Sequence, residues 1–171
     1  MNATITSTAH YVPEKILTNS DLEKLVDTSD DWIKSRVGIN QRHVVADGEA
    51  SSDMSTKVAH SLLEKRGISA ANIDVIIIGT VTPDHPTPST AAIVQNNINA
   101  ENAWAFDLSA ACSGFLYALE TGAKFIESGQ YKTIMVIGVD TMTSILDFED
   151  RETCIIFGDG AGGVILEAVS Y

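Results

Sequence analysis

Basic residues are scarce in this sequence. Eleven lysines and arginines stand against 23 aspartates and glutamates, which gives a formal net charge of −12 at pH 7. Nucleic acids and anionic membranes bind proteins through cationic surfaces, so this composition argues against either as the main partner. An anionic ligand would therefore need a local group of cations.

Long apolar runs and cysteines are scarce as well. No segment approaches the roughly 20 apolar residues of a membrane span, and the first residues, MNATITSTAH, lack the basic and then apolar pattern of a secretory signal. The two cysteines, Cys112 and Cys154, are therefore expected to be free thiols of a cytoplasmic protein rather than a disulfide framework. A chain of 171 residues is long enough for one sizeable core, and we expect no second domain.

Hydrophobic patterning predicts an α/β fold. Apolar runs typical of strands alternate with segments that have helical periodicity and cap residues at their ends. This alternation predicts an open, mixed but mostly parallel sheet with helices on both faces. The predicted strands are 3–9, 41–45, 74–80, 103–109, 133–140 and 160–169, and the predicted helices are 18–27, 28–36, 51–67, 89–99 and 112–128.

One cysteine lies where a predicted strand meets a predicted helix. Residues 107–122 read DLSAACSGFLYALETG, and Cys112 falls at the start of a helix that is apolar around most of its circumference. We expect this helix to be deeply buried and its N-terminal end to favour the thiolate form of the cysteine. The alternative is a small core residue, the usual role of an isolated cysteine.

The same segment, DLSAACSGFLYAL, resembles the active-site segment of the β-ketoacyl-[acyl-carrier-protein] synthase III enzymes of the thiolase superfamily. Three further segments resemble that family in the same order: TNSDLEKLVDTSDDWIKSRVGINQRH, PSTAA and DRETCIIFGDGAGGVIL. The resemblance implies that Cys112 takes an acyl group from acyl-coenzyme A as a thioester. It also implies condensation of that group with malonyl-acyl-carrier protein, whose decarboxylation supplies the carbon nucleophile, to start type II fatty acid synthesis.

The resemblance assigns coenzyme A binding to four residues, Thr28, Trp32, Arg36 and Arg151. It implies that Trp32 and Arg151 stack on the two faces of the adenine, that Arg36 lies beside the phosphates and that Thr28 contacts the nucleotide. Indole and guanidinium planes both stack on a base, so these residue types suit the ligand. Taken alone, Trp32 would more often be a core anchor and Arg36 a solvated surface charge. Coenzyme A enters as the thioester substrate, and no tightly bound cofactor or metal is expected.

The resemblance also implies an acyl pocket lined by Thr87, Met142, Ile156 and Phe157. Relatives that prefer acetyl-coenzyme A carry a phenylalanine at the position of Thr87. A threonine leaves more space, and each methylene that a longer acyl chain buries is worth about 0.8 kcal/mol. We therefore expect primers longer than acetyl to be accepted. His85, in the neighbouring TPDHPTP loop, is not expected to take a catalytic part.

Family members consist of two similar halves, so the resemblance implies that residues 1–171 form one N-terminal, thiolase-like half. The family's catalytic histidine and asparagine belong to the other half. A complementary C-terminal half is therefore an expected partner, and this chain alone is expected to be inactive. The resemblance further implies a homodimer in which 103–109 pairs with its twin.

Two alternative functions remain open at this point. One is a non-catalytic half-protein that binds acyl-coenzyme A or a partner subunit. The other is a specialised condensing relative, such as a polyketide starter enzyme or 3-hydroxy-3-methylglutaryl-CoA synthase.

The glycine-rich segment GDGAGG, residues 158–163, invites comparison with a phosphate-binding loop. Such a loop is followed by a helix N-terminus, whereas the following residues, VILEAV, have the pattern of a strand. We therefore interpret the segment as part of a strand that packs closely beneath the Cys112 helix. Cys154, in the apolar run TCIIF, is expected in the core.

Overall fold

The computed structural model describes residues 1–169. They belong to two compact units. Unit 1 contains Met1–Tyr11, Ala50–Asp140 and the residues from Ala161 onward, and unit 2 contains Val12–Glu49 and Thr141–Gly160. Each unit has a hydrophobic cluster of its own, where the chain length alone suggested one core.

Strands and helices alternate along the chain as the sequence predicts. In chain order, the elements within residues 1–169 are β1 Asn2–Tyr11, β2 Lys15–Thr18, α1 Asn19–Leu22, α2 Asp30–Val37, β3 Gln41–Val44, α3 Ser51–Arg66, β4 Val75–Gly79, α4 Thr90–Asn97, β5 Trp104–Leu108, α5 Gly114–Glu127, β6 Thr133–Thr141, α6 Arg151–Cys154 and β7 Asp159–Val169.

A five-stranded sheet in the order β1-β7-β6-β4-β5 forms the centre of unit 1. Strand β4 runs parallel to both of its neighbours, with Ile77 opposite Phe106 of β5 and Val136 of β6. Strand β1 runs antiparallel to β7. The predicted α/β class with a mixed sheet is therefore confirmed. The glycine-rich segment after Gly158 forms the start of strand β7 rather than a phosphate-binding loop.

Helices cover both faces of this sheet. All residues of β4 are buried, and Val75 and Ile77 pack in one cluster with the inner face of α5. Successive side chains of a strand point to opposite faces. On the face away from α5, the position that a Cβ on Gly163 would occupy lies 2.9 Å from Ile137 of β6 and 3.1 Å from Val58 of α3. The predicted placement of helices on both faces is thus confirmed.

Helix α5 buries only one of its faces. The buried residues are Gly114, Ala118, Gly122 and Ile126, which recur every four residues along one side. On the opposite side, Leu116 is 62% exposed and Tyr117 is 57% exposed. The prediction of a deeply buried helix is therefore wrong. The opposite side carries the exposed charged residues Glu120, Lys124 and Glu127, and the described residues leave Leu116 and Tyr117 uncovered near its start. No helix within residues 1–169 combines the length and the apolar character that crossing a membrane requires.

Unit 2 is built from a two-stranded antiparallel sheet, β2 with β3, and three short helices. Its hydrophobic cluster contains Leu22, Ile33, Cys154 and Ile155. The predicted helix over 18–27 covers only α1, because Thr18 lies in β2 and caps α1 by accepting a hydrogen bond from the Asp21 backbone N–H. The sequence patterns missed β2 and α6, which have four residues each.

Candidate active site

Cys112 lies on a tight turn between β5 and α5. The turn is a 3-10 helix, Ala111–Ser113, so the α-helix that was predicted to begin at 112 begins at Gly114. Ala111 adopts a φ of 47°, in the left-handed region that non-glycine residues rarely occupy. The side chain of Cys112 is exposed.

A backbone contact between two glycines fixes the start of α5. A Cβ on Gly79, the last residue of β4, would lie 2.8 Å from the carbonyl carbon of Gly114 and 3.0 Å from the backbone nitrogen of Phe115. A Cβ on Gly114 would lie 3.6 Å from the Cα of Gly79, an ordinary contact. The close approach therefore requires glycine at 79 more than at 114, and it fixes the point where the Cys112 turn ends and α5 begins.

The second cysteine has a different environment. Cys154 is fully buried in the cluster of unit 2, which confirms its predicted place in the core. Burial raises the pKa of the Cys154 thiol, and the nearby carboxylate of Asp150 acts in the same direction. The thiolate is the nucleophilic form of cysteine, so Cys154 is poorly suited to accept an acyl group.

Asp107, five residues before Cys112, holds α4 to β5. Its two carboxylate oxygens accept hydrogen bonds from the backbone N–H groups of Thr90 and Ala91, each at 2.8 Å. A carboxylate at a helix N-terminus is favoured by the free N–H groups and by the helix dipole. The strand that leads to Cys112 is thereby tied to the helix that begins in the PSTAA segment.

The loop that carries Thr87 is organised by Asp140, near the end of β6. Asp140 Oδ1 accepts hydrogen bonds from Thr80 Oγ1 at 3.1 Å, from the Val81 N–H at 2.8 Å and from Thr82 Oγ1 at 3.0 Å. Thr87 itself is exposed. A cavity of about 440 Å³ lies between this loop and β5. Its walls include Val81, His85, Pro86, Phe106, Asp107 and Ser109.

The aromatic and cationic residues predicted to bind coenzyme A cluster in unit 2. The Cζ of Arg151 lies 4.7 Å from the ring centroid of Trp32, and the Cζ of Arg36 lies 5.9 Å from it. Both distances are within the range of a cation–π contact. Arg151 also donates a hydrogen bond from Nη1 to the carbonyl oxygen of Asp27, at 3.0 Å. The structure thus brings two cations to one indole in an otherwise acidic chain.

The distance between Trp32 and Arg151 is too short for a base to stack between them without a movement of one side chain. Two successive stacking contacts at about 3.5 Å each would need a separation of about 7 Å, compared with 4.7 Å here. An adenine would therefore displace the Arg151 guanidinium from the indole by about 2 Å before both groups could stack on it. The Oγ1 of Thr28 is buried and has no hydrogen-bond partner within residues 1–169, so a ligand could reach it only after the side chain moves.

The other predicted pocket residues also belong to unit 2. Met142 begins a 3-10 turn and is half-buried, Ile156 is 41% exposed and Phe157 is half-buried. Asp159 fixes the turn after Met142, since its carboxylate accepts hydrogen bonds from the backbone N–H groups of Val45 and Thr143, each at 2.8 Å. Cys112 and Thr87, by contrast, belong to unit 1. Residues 1–169 contain no group of three or more His, Cys, Asp or Glu side chains arranged to hold a metal ion.

Comparison with known proteins identifies the family. The family model described as 3-Oxoacyl-[acyl-carrier-protein (ACP)] synthase III matches residues 106–171. The β-ketoacyl-[acyl-carrier-protein] synthase III of Chlorobaculum tepidum is 62% identical over 171 residues, which cover 99% of this chain and 52% of that protein. The crystal structure of 3-oxoacyl-[acyl-carrier-protein] synthase III from Aquifex aeolicus superposes with a TM-score of 0.96 at 44% identity, over 99% of this chain and 55% of that one. The chain belongs to the β-ketoacyl-[acyl-carrier-protein] synthase III family.

The chain corresponds to the N-terminal half of family members and spans about half the length of the curated relatives it matches. A specialised condensing enzyme also has this fold. The priming β-ketosynthase of the R1128 polyketide pathway superposes with a TM-score of 0.96 at 30% identity, over 99% of this chain and 51% of that one. The higher identity to synthase III proteins favours that family over a polyketide starter enzyme.

Sequence reasoning missed the charged residues that hold the segments of this synthase III half in place. They are Arg42, Asp107, Asp140 and Asp159. Each bonds to a residue at least 16 positions away, so no local periodicity indicates it. The available signal was chemical: a charged residue inside or beside an apolar strand needs a partner.

Proposed function

We propose that this chain supplies the acyl-accepting cysteine and the coenzyme A-binding residues of a β-ketoacyl-[acyl-carrier-protein] synthase III. The reaction joins an acyl-coenzyme A primer to malonyl-acyl-carrier protein and so starts type II fatty acid synthesis. The observation that carries the proposal is Cys112, an exposed thiol on a strained turn at the start of α5. Membership of the family supports the assignment.

The first half-reaction is acyl transfer to Cys112. Its Sγ attacks the thioester carbonyl of acyl-coenzyme A, the bond from that carbonyl to the coenzyme A sulfur breaks, and coenzyme A leaves as the thiol with the proton of the cysteine. In the second, malonyl-acyl-carrier protein loses carbon dioxide, and the resulting carbanion attacks the acyl-thioester. The Cys112 thiolate then leaves and is free for the next acyl group.

Coenzyme A is bound in this proposal by Trp32, Arg36, Arg151 and Thr28. The clustering of two guanidinium groups at one indole supports adenine and phosphate binding. Thr28 is included on the resemblance; its buried Oγ1 has no partner within residues 1–169, and it would gain a hydrogen bond from the nucleotide once the side chain rotates toward it. Coenzyme A is a substrate and leaves after each turnover, so the proposal needs no tightly bound cofactor.

Condensation needs groups that the resemblance assigns to the second half of family members. These are a histidine, an asparagine and a glycine whose N–H completes the oxyanion hole with that of Cys112. Removing a single oxyanion donor costs about 10²–10³ in rate. We therefore propose a complementary C-terminal half as a partner and expect no condensation by residues 1–171 alone.

The proposed assembly is a homodimer formed through β5. This strand is at the edge of the five-stranded sheet, and Trp104 at its start is 42% exposed. An apolar edge strand without a partner favours association with another strand. Pairing with its twin across a two-fold axis would cover it on both chains at once.

Acyl transfer can be tested by mass mapping. The chain, with and without the C-terminal half of a family member, is incubated with acetyl- and butyryl-coenzyme A and digested for peptide mass analysis. The acyl group should lie on the peptide that contains Cys112 and should be absent from Cys112→Ser. Cys154→Ser is the matched control and should retain the label. Label on Cys154, or label that survives Cys112→Ser, would contradict the proposal.

A further inference from the structure

We propose that buried Arg42 is a positioning residue that sets the spacing of Trp32 and Arg151 and thereby the affinity for coenzyme A. This inference rests on the proposed function and adds a residue to it. Arg42 acts through the two helices that carry the stacking groups, without touching the ligand.

Arg42, in β3, is 3% exposed, and its hydrogen bonds go to neutral acceptors. Nε and Nη2 both donate to the carbonyl oxygen of Ile155, with an Nε distance of 3.1 Å, and Nη1 donates to Oδ1 of Asn19. Burying a cation is costly unless its donors are well used. The fixed fork of the guanidinium therefore holds both acceptors in a defined geometry.

The first branch of this network holds α6. Ile155 is the C-cap residue of that helix, which begins at Arg151 and has only four residues. A carbonyl that accepts two N–H groups of one fork cannot rotate without losing at least one of them. Anchoring Ile155 therefore fixes the backbone from which the Arg151 side chain extends.

The second branch holds α2. Asn19 is 1% exposed, and its Nδ2 donates to Oδ1 of Asp30 at 2.8 Å and to the carbonyl oxygen of Ile39 at 2.9 Å. Asp30 is the first residue of α2, and Ile39 lies just beyond its end. Asn19 therefore holds both ends of the helix that carries Trp32.

The Arg42–Asn19 pair thus bridges α6 and α2, and the Arg151 to Trp32 distance of 4.7 Å lies between the two anchored helices. With both backbones fixed, a base can enter by rotation of the Arg151 side chain alone. If the bridge loosens, both helices must also be ordered on binding, and that ordering lowers the affinity.

Arg42→Lys is the sharpest test, because lysine keeps the charge but loses the fork. Arg66→Lys is the matched control: it makes the same exchange at an exposed ion pair with Glu167 in unit 1. A Trp104→Phe background leaves Trp32 as the single tryptophan, and coenzyme A is titrated against its fluorescence in the full chain. Arg42→Lys should weaken binding about tenfold, and Arg66→Lys should leave it unchanged.

A double-mutant cycle separates positioning from a general structural effect. In an Arg151→Met background one of the two stacking groups is already lost, so Arg42→Lys should weaken coenzyme A binding further by less than about twofold. An equal loss in both backgrounds, or no loss in either, would overturn the proposal. Asn19→Ser should give the same pattern and replaces Arg42→Lys if that variant does not fold.

A ligand-free measurement keeps this inference separate from the proposed function. Arg42→Lys should change the near-ultraviolet circular dichroism of Trp32, and Arg66→Lys should not. If coenzyme A fails to bind the unsubstituted chain, the proposed function fails while this spectrum still tests the positioning role. An unchanged Trp32 spectrum in Arg42→Lys would overturn the inference whatever the binding result.

Discussion

Asp140 should control the stability of the loop that leads to Thr87. One of its carboxylate oxygens, Oδ1, accepts hydrogen bonds from the Val81 N–H and from the hydroxyls of Thr80 and Thr82. Both threonines are nearly fully buried. The substitution Asp140→Ala removes this acceptor from all three donors at once and leaves a gap at the end of β6.

The cost can be worked out from these contacts. A hydrogen bond to a charged acceptor contributes about 1.5–3 kcal/mol net. The two threonine hydroxyls can rotate toward other acceptors, whereas the Val81 N–H has a fixed direction. We therefore expect Asp140→Ala to lower the free energy of unfolding by about 2–4 kcal/mol. Asp140→Asn keeps the oxygen but not the charge. Because neutral hydrogen bonds are about half as strong, this variant should lower the free energy of unfolding by about half as much as Asp140→Ala.

Urea unfolding followed by circular dichroism measures the change in the free energy of global unfolding. Hydrogen exchange of the Val81 amide measures the change in the free energy of local opening. A loss of about 2 kcal/mol corresponds to about 30-fold faster exchange. The reasoning is refuted if Asp140→Ala unfolds within about 0.5 kcal/mol of the unsubstituted chain and the Val81 amide exchanges at its original rate.

Three further predictions concern the pocket, the α5 surface and assembly. In the chain completed by its second half, Thr87→Phe should shift kcat/KM among acetyl-, butyryl- and octanoyl-coenzyme A about tenfold toward acetyl; an unchanged ratio would show that residue 87 does not limit the pocket. Because Leu116 and Tyr117 are exposed, replacing both by lysine should reduce self-association of the separated chain in sedimentation, and undiminished association would assign it to another surface. Light scattering should find the completed protein dimeric and Trp104→Lys more monomeric, whereas a dimer that this substitution leaves intact would exclude the start of β5 from the interface.

Local sequence patterns predicted the elements whose conformation depends mainly on residues adjacent in sequence. The continuous apolar run DVIIIGT, residues 74–80, predicted a strand, and Val75–Gly79 within it are all buried, as in a strand covered on both faces. The helix predicted over 51–67 is capped at its C-terminus by Gly67, which adopts the left-handed conformation that glycine favours there, with a φ of 72°. Both features depend on residues adjacent in sequence, which is why the sequence reveals them.

The features that the sequence did not predict depend on distant residues. Strand β2 has four residues and pairs with β3, about 25 positions further on. Leu116 and Tyr117 lie on the outer side of α5, where burial depends on a covering element that residues 1–169 do not provide. Further along, the same side carries the exposed Glu120 and Lys124. The partners of Arg42 and Asp140 lie 113 and 59 positions away for the bonds to Ile155 and Val81. Such pairings appear only when the chain is folded.

The contact between Gly79 and Gly114 separates the location of the proposed nucleophile, Cys112, from its chemical surroundings. Main-chain atoms meet main-chain atoms there, so no rotamer change can shift the start of α5, and the side chains at 111–113 take no part in the contact. The side chains of Ala111 and Ser113, on either side of Cys112, can therefore be exchanged to alter polarity or access around the sulfur while its position is held. An engineer who wishes to retune the reactivity of this thiol should vary the turn and leave the two glycines untouched.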